Sequence, residues 1–139
     1  RATLPQIVDE IVDVGPIAGI AAAQAAYPEA AWLVVACDLP FLDDDAIARL
    51  LAARGAHAIV AYRSAHDGLP EPLCAIYEPS TRAAILDAID RDRRCPRRLV
   101  IDSGVPLLDQ ADPAALDNVN TPQEFASAVA RIDIGSTPR

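Results

Sequence analysis

The sequence is poor in aromatic residues and contains no methionine. Aromatic side chains make up 4% of the 139 residues, whereas hydrophobic residues as a whole make up 52%. This composition excludes a disordered chain and predicts one domain with a core of small aliphatic side chains. Because a translated chain starts with methionine, we expect Arg1 not to be the natural N-terminus.

Cysteine is also scarce. The three cysteines, Cys37, Cys74 and Cys95, are far apart and form no CxxC pair. Their odd number and wide spacing argue against a zinc site or a disulfide framework, and favour a reduced, cytoplasmic setting. The sequence has no apolar run long enough to span a membrane and no visible signal peptide, so we expect no membrane partner.

Positive charge is in deficit. The chain has 12 basic and 20 acidic residues, which gives a net charge of −8. This balance argues against a nucleic-acid partner, because phosphate contacts need clustered basic side chains. The one basic cluster, residues 91–98, is interrupted by Asp92. We interpret Arg94, Arg97 and Arg98 as a solvated helix face, with a cationic wall for a phosphorylated substrate as the alternative.

The most informative stretch is the apolar run of residues 32–41, which contains Asp38 and Pro40. Such a short, unbroken run is typical of a strand buried on both faces, as in a parallel sheet covered by helices. Pro40 cannot donate to a sheet ladder and ends the strand. Asp38 is therefore predicted at the carboxyl end of a central strand, where open α/β sheets bind ligands. There it is either a Mg²⁺ ligand or an ordinary turn acid.

Periodicity and capping residues predict the remaining elements. Helices are expected over residues 18–26, from 43–45 to a Gly55 cap, over 79–90 and 96–102, and from Pro122 to Arg131. The last helix has Thr121 as its N-cap and Glu124 in a capping box. Strands are expected over residues 4–8, 57–62, 73–77 and 105–108, with the 57–62 and 73–77 strands antiparallel to each other.

A glycine-containing stretch near the N-terminus is a candidate nucleotide pocket. Gly15, Pro16 and Gly19 lie where a loop leads into a helix. Glycine lets the backbone approach a ligand, and a helix N-terminus favours anions. Asp9 could then accept hydrogen bonds from a base or ribose. The alternative is an ordinary strand–loop–helix turn.

A second candidate is the pair Asn118 and Asn120, which flanks Val119 just before the last helix. In an extended segment both amide side chains share one face and could bind a heterocycle or a phosphate. Local capping is the alternative. The polar loop with His66 and Asp67 is interpreted as a solvent loop rather than a substrate loop. No Ser/His/Asp or Cys/His arrangement supports nucleophilic hydrolysis.

Three motifs occur in a specific order. They are residues 15–19 (Gly-Pro-Ile-Ala-Gly), residues 36–41 (Ala-Cys-Asp-Leu-Pro-Phe) and residues 118–124 (Asn-Val-Asn-Thr-Pro-Gln-Glu). Together they resemble the MobA-like nucleotidyltransferases, the molybdenum cofactor guanylyltransferases and their relatives. Residues 70–77 and 94–99 are also similar to a strand and a short basic helix of that family. The resemblance covers almost the whole chain.

The resemblance implies a Rossmann-like three-layer α/β/α fold with a mostly parallel sheet. It also implies transfer of GMP from GTP to molybdopterin with Mg²⁺, by positioning and charge neutralisation. The positions that match the family's functional residues are Asp9, Gly15, Pro16, Gly19 and Asp38 for the nucleotide, Asp38 for the metal and catalysis, and Asn118 and Asn120 for molybdopterin.

The chain departs from the family at its start. The family opens with a strand, a glycine-rich LAGG loop, an arginine and a lysine, whereas this sequence has no such loop and no lysine. We therefore expect residues 1–139 to be the C-terminal two thirds of the domain and to be inactive alone. The missing segment or other cofactor proteins would be partners. The alternatives are a cytidylyltransferase of the same superfamily and a non-catalytic module of a larger cofactor-assembly protein.

Overall fold

The structure, a computed structural model, describes residues 3–9, 11 and 13–135. Helices and strands alternate in the first half of this length, and helices follow the last strand. In chain order they are α1 (Pro16–Ala26), β1 (Trp32–Val35), α2 (Asp44–Ala52), β2 (Ile59–Arg63), β3 (Pro70–Tyr77), α3 (Arg82–Asp90), α4 (Pro96–Ser103) and α5 (Pro122–Gly135). The five predicted helices are confirmed. The predicted Gly55 cap is wrong, because α2 is already capped by Ala53, whose backbone N–H turns back to the last carbonyls of the helix.

The sheet has β3 at its centre, between β1 and β2. Both neighbours run antiparallel to β3, and Ala75 lies opposite Val34 on one side and Ala61 on the other. The predicted antiparallel pairing of β2 with β3 is thus confirmed. The described strands do not form the predicted mostly parallel sheet. β3 returns after a six-residue loop and inserts between β1 and β2, which run in the same direction and do not pair with each other.

Two predicted strands do not form. Residues 4–8 have no strand conformation, and Leu4 and Val8 are 82% and 75% exposed, so no buried face holds this segment against the sheet. Residues 105–108 are reduced to one parallel bridge between Leu108 and Tyr62. Pro106 lacks the backbone N–H that a longer ladder would need.

Helices lie on both faces of the sheet, so the described structure is a mixed α/β fold. On one face α1, α3 and α4 pack against the strands, with Ile17, Ile85 and Val100 fully buried. On the other face Leu50 of α2 packs against side chains of β2 and β3, together with Leu116. In the described part of the chain, no helix has both the length and the apolar character needed to cross a bilayer.

β1 differs from the prediction that it is buried on both faces. Its first three residues are half-buried and Val35 is 42% exposed. Among the described strands it pairs only with β3, so its other edge is open. The apolar run did predict a strand, but the burial of that strand depends on the helices and strands packed around it, which the run does not encode.

Candidate functional site

A cleft of about 730 Å³ opens beyond the carboxyl end of β1. One wall is the turn after β1, and another is the β2–β3 loop with the start of β3. The segment before α5 and one face of α5 complete it. Its polar lining residues are Asp38, Ser64, His66, Asp67, Glu71, Arg97, Asp117, Asn118, Gln123, Glu124, Ser127 and Arg131.

Asp38 reaches the cleft because β1 ends just before it. The backbone N–H of Ala36 donates to the Leu73 carbonyl at 2.8 Å, and the chain then turns away from the sheet. Asp38 itself is half-buried. No donor within the described residues pairs with its carboxylate, so both oxygens are available to a cation. Asp38 thus lies beyond the end of β1 and lines the cleft, but β1 is at the edge of the described sheet, so the predicted central strand is wrong.

The asparagine segment is fastened to Asp38 through the backbone. The N–H of Val119 donates to the Asp38 carbonyl at 3.0 Å, and Asn118 lines the cleft beside Asp38. Asn120 does not line it. Its backbone N–H donates to Glu124 Oε2 at 2.7 Å, because this carboxylate caps α5. The two asparagines therefore do not share the cleft as their spacing suggested.

The capping box at the start of α5 is confirmed. The Glu124 N–H donates to Thr121 Oγ1 at 3.1 Å, and the Thr121 N–H donates to Glu124 Oε2 at 3.1 Å. These reciprocal bonds satisfy backbone donors that a helix start leaves unpaired. They also orient α5, one face of which lines the cleft.

The second group of predicted residues lies together at the start of α1. Gly15 precedes the helix with φ 74°, a conformation that favours glycine, and Pro16 is the first helical residue. Asp9 lies against Gly19, since a Cβ on Gly19 would be 3.5 Å from Asp9 Oδ1. None of these four residues lines the Asp38 cleft. The structure thus brings Asp38 and Asn118 into one group, and Asp9 and Gly19 into another.

An ion pair across the cleft was missed by the sequence analysis. His66 Nε2 lies 2.7 Å from Asp117 Oδ1 and joins the β2–β3 loop to the segment that carries Asn118. The hydrogen bond and charge of Asp117 raise the pKa of His66. Ser64 Oγ shapes the loop by accepting the N–H of His66 at 3.2 Å. No spacing in the sequence pairs residues that are 51 positions apart.

Arg97 and Glu71 complete the loop side of the cleft. Arg97 Nε donates to the Pro70 carbonyl at 3.1 Å, and its Nη1 lies 3.9 Å from Asp67 Oδ2. Burial raises the pKa of Glu71, while Ser64 and Arg97 act in the opposite direction. The cleft therefore combines carboxylates with cationic groups rather than carrying one sign of charge.

The donor set fits a metal only in part. Within the described residues no group of three or more His, Cys, Asp or Glu side chains could hold an ion. Asp38 offers a single carboxylate, and Mg²⁺ is often held by one or two carboxylates together with substrate phosphates and waters. The cleft thus fits a metal that arrives with a phosphorylated ligand, not a metal held by the protein alone.

Comparisons with known proteins identify relatives of this chain. A family model described as MobA-like NTP transferase domain matches residues 1–107. The molybdenum cofactor guanylyltransferase of Pseudomonas fluorescens is 36% identical over 110 residues, which cover 78% of this chain and 55% of that protein. The molybdenum cofactor biosynthesis bifunctional protein of Synechocystis is 31% identical over 88% of this chain and 35% of its own length. The chain thus spans about half or less of these relatives.

Solved structures share the fold. The molybdopterin-guanine dinucleotide biosynthesis protein A of Archaeoglobus fulgidus superposes with a TM-score of 0.70 at 22% identity, over 86% of this chain and 64% of that one. A protein of Aquifex aeolicus superposes with a TM-score of 0.71 at 19% identity, over 83% and 61% of the two chains. Since the family model covers most of the sequence, the chain belongs to the MobA-like NTP transferase family.

Proposed function

We propose that this chain supplies the metal and acceptor side of a molybdenum cofactor guanylyltransferase, which transfers GMP from GTP to molybdopterin. One observation carries the proposal: Asp38 and Asn118 line the same cleft, and the backbone N–H of Val119 donates a hydrogen bond to the Asp38 carbonyl. A carboxylate and an amide at a strand end suit a metal-bound phosphate and a polar acceptor. The guanylyltransferase relatives support the same chemistry.

We infer the role of each residue from the family resemblance together with its position. The Asp38 carboxylate, which has no described donor, would take one position on Mg²⁺, and the ion when bound would neutralise charge on the transferred phosphoryl group. Asn118 would orient the acceptor, with Asn120 beside it outside the cleft. Asp9 and the Gly15–Gly19 turn, including Pro16, would hold the nucleotide at the start of α1. Catalysis here is positioning rather than nucleophilic attack by the protein.

The open edge of β1 supports a larger domain. β1 has the composition of a strand buried on both faces but is paired on one side among the described strands. We infer that additional strands pair there, which would add a parallel part to the sheet and bring a glycine-rich loop toward Asp38. On this basis the chain alone is expected to be inactive.

The test is a chimera in which the family's N-terminal strand and glycine-rich loop precede this chain. Incubated with Mg²⁺, radiolabelled GTP and molybdopterin, the chimera should transfer GMP and the 139-residue chain should not. Asp38→Ala should reduce transfer at least a hundredfold, about the loss from removing a principal electrostatic contact. Asp44→Ala, an exposed acid at the start of α2, is the matched control and should be unaffected.

Each result separates the alternatives. Undiminished transfer by Asp38→Ala would exclude the metal role of this acid. Transfer from CTP in place of GTP would identify the cytidylyltransferase instead. A folded chimera that binds GTP and transfers nothing would favour a non-catalytic module.

A further inference from the structure

The arginines fall into two groups, according to whether a carboxylate lies close to the guanidinium group. All twelve basic residues are arginine, and ten of them, all but Arg1 and Arg139, lie in the described part of the chain. Seven have a guanidinium nitrogen within 3.2 Å of a carboxylate oxygen. These are Arg49, Arg54, Arg63, Arg91, Arg93, Arg94 and Arg98.

The other three are held differently. Arg82 donates to the Ala21 carbonyl at 3.4 Å and joins α3 to α1. Arg97 and Arg131 both line the Asp38 cleft. The two described cleft arginines are thus among the few without a close carboxylate, in a protein with a large excess of acids.

Arg97 is held from behind by the backbone. Its Nε donates to the carbonyl of Pro70, a buried residue at the start of β3, and the Asp67 carboxylate is 3.9 Å away. The next residue, Arg98, instead pairs with Asp102 at 2.9 Å along its own helix. Within the described residues the Nη donors of Arg97 make no hydrogen bond, and the ion pair with Asp67 is long, so a ligand in the cleft can compete for them.

Arg131 is held by an aromatic ring. Its guanidinium carbon lies 4.1 Å from the centroid of the Phe41 ring, a cation–π distance. Phe41 follows Asp38 in the turn after β1, so this contact places the cation near the proposed metal ligand. A cation–π contact takes no hydrogen-bond acceptor, so the N–H donors of Arg131 can still bind an anion.

We propose that Arg97 and Arg131 form a phosphomonoester-binding subsite in the cleft. Planar guanidinium groups match phosphate oxygens and can bind them bidentately. The identification of this phosphate as that of the acceptor rests on the proposed function. We assign the subsite to the acceptor because Asn118, the residue proposed for the acceptor, lines the cleft, whereas Gly15 and Gly19, proposed for the nucleotide, do not.

The cleft carboxylates restrict what can bind. Asp67, Glu71, Asp117 and Glu124 also line the cleft and repel anions, although His66 neutralises Asp117 in part. Two arginines can offset the charge of one phosphate group but not that of a triphosphate. The subsite should thus prefer a phosphomonoester to a free nucleoside triphosphate.

Phenyl phosphate is the probe, titrated into the 139-residue chain by isothermal calorimetry and by amide NMR. Arg97→Gln and Arg131→Gln should each raise its Kd about tenfold, as expected when a charge-assisted hydrogen bond is lost. The matched control Arg98→Gln should leave the Kd unchanged. Benzyl alcohol, which lacks the phosphate, should not bind, and GTP should not compete.

The outcomes decide the proposal independently of catalysis. No binding of phenyl phosphate, an equal loss in Arg98→Gln, or no loss in both cleft variants would overturn it. Competition by GTP would overturn the assignment to the acceptor. If the two arginines are needed for phenyl phosphate but the chimera transfers nothing, the subsite stands and the proposed guanylyltransferase function fails.

Discussion

β1 and β3 are both apolar strands of one sheet, yet their environments differ. In β3, Cys74 to Tyr77 are at most 1% exposed, whereas Val35 in β1 is 42% exposed. β3 has a strand on each side and helices on both faces, whereas β1 pairs only with β3 in the described structure. Two similar apolar strands therefore contribute differently to the stability of the fold, because the burial of a strand depends on the elements around it and not on its sequence alone.

The largest predicted difference comes from removing core volume. Ile76 lies opposite Leu33 and Val60 and is 1% exposed. Ile76→Ala should lower the free energy of unfolding by about 2–5 kcal/mol, and Leu33→Ala in half-buried β1 by about 1 kcal/mol. Urea denaturation measures both. Equal losses would show that β1 is as buried as β3, and exposed Val35→Ala serves as the control.

A smaller effect is expected from a buried hydroxyl of β3. The Tyr77 hydroxyl donates to the Pro72 carbonyl at 2.7 Å, and burial raises its pKa. Tyr77→Phe should cost about 1–3 kcal/mol because a buried acceptor loses its donor. Tyr27 has an exposed ring that contacts Trp32, the first residue of β1. Tyr27→Phe should change the free energy of unfolding by less than about 0.5 kcal/mol. Thermal and urea unfolding measure both losses of stability. A larger loss in Tyr27→Phe than in Tyr77→Phe would contradict the prediction.

Two cysteines allow the burial of the two strands to be compared by their reactivity. Cys37 is exposed just after β1, whereas Cys74 is buried in β3 and burial raises its pKa to about 11. At pH 8 iodoacetamide should modify Cys37 and leave Cys74 intact until the chain unfolds. In the unfolded chain the thiol has its ordinary pKa of 9.0 and therefore ionises first. The stability that the buried, neutral Cys74 contributes should thus fall as the pH rises from 9.0 toward 11. Peptide mass mapping gives the sites, and modification of Cys74 in folded protein at pH 8 would contradict its burial.

The smallest effect concerns the rim of the cleft. Asp117 raises the pKa of exposed His66, so the charged pair persists below that raised pKa and is lost as pH rises through it. Asp117→Asn should return the His66 titration toward the ordinary histidine range. NMR can follow the His66 titration directly, with the unsubstituted chain as the reference. An unchanged His66 titration in the variant would mean that the pair does not form.

Local signals were sufficient for much of the fold. Pro16, Asp43 and the Thr121–Glu124 box mark helix starts that the structure confirms, since capping involves residues close in sequence. The start of β3 was placed too late, at Leu73 rather than Pro70. Two prolines in this strand indicate a loop, but they are tolerated at its first residue and at an irregularity in the ladder.

The site was predictable only in pieces. Asp38 at a strand end and Asn118 before a helix are each readable from their neighbours, and the cleft joins them. The separation of Asn120 from the cleft and the His66–Asp117 pair depend on contacts between distant segments. Contacts between distant segments also separate the arginines into the two groups. Arg97 and Arg98 are adjacent and chemically identical, but Arg97 donates to the Pro70 carbonyl and Arg98 pairs with Asp102.

The sequence by itself determined the helices, the strand before Asp38 and the motifs that mark the family, because these depend on periodicity, capping and residues a few positions apart. Only the tertiary structure decided that β3 is central and β1 has an open edge. It also decided that Asp38 shares a cleft with Asn118, Arg97 and Arg131. Those relations arise when segments far apart in the chain are brought together by burial of both sheet faces, and no local pattern encodes that pairing.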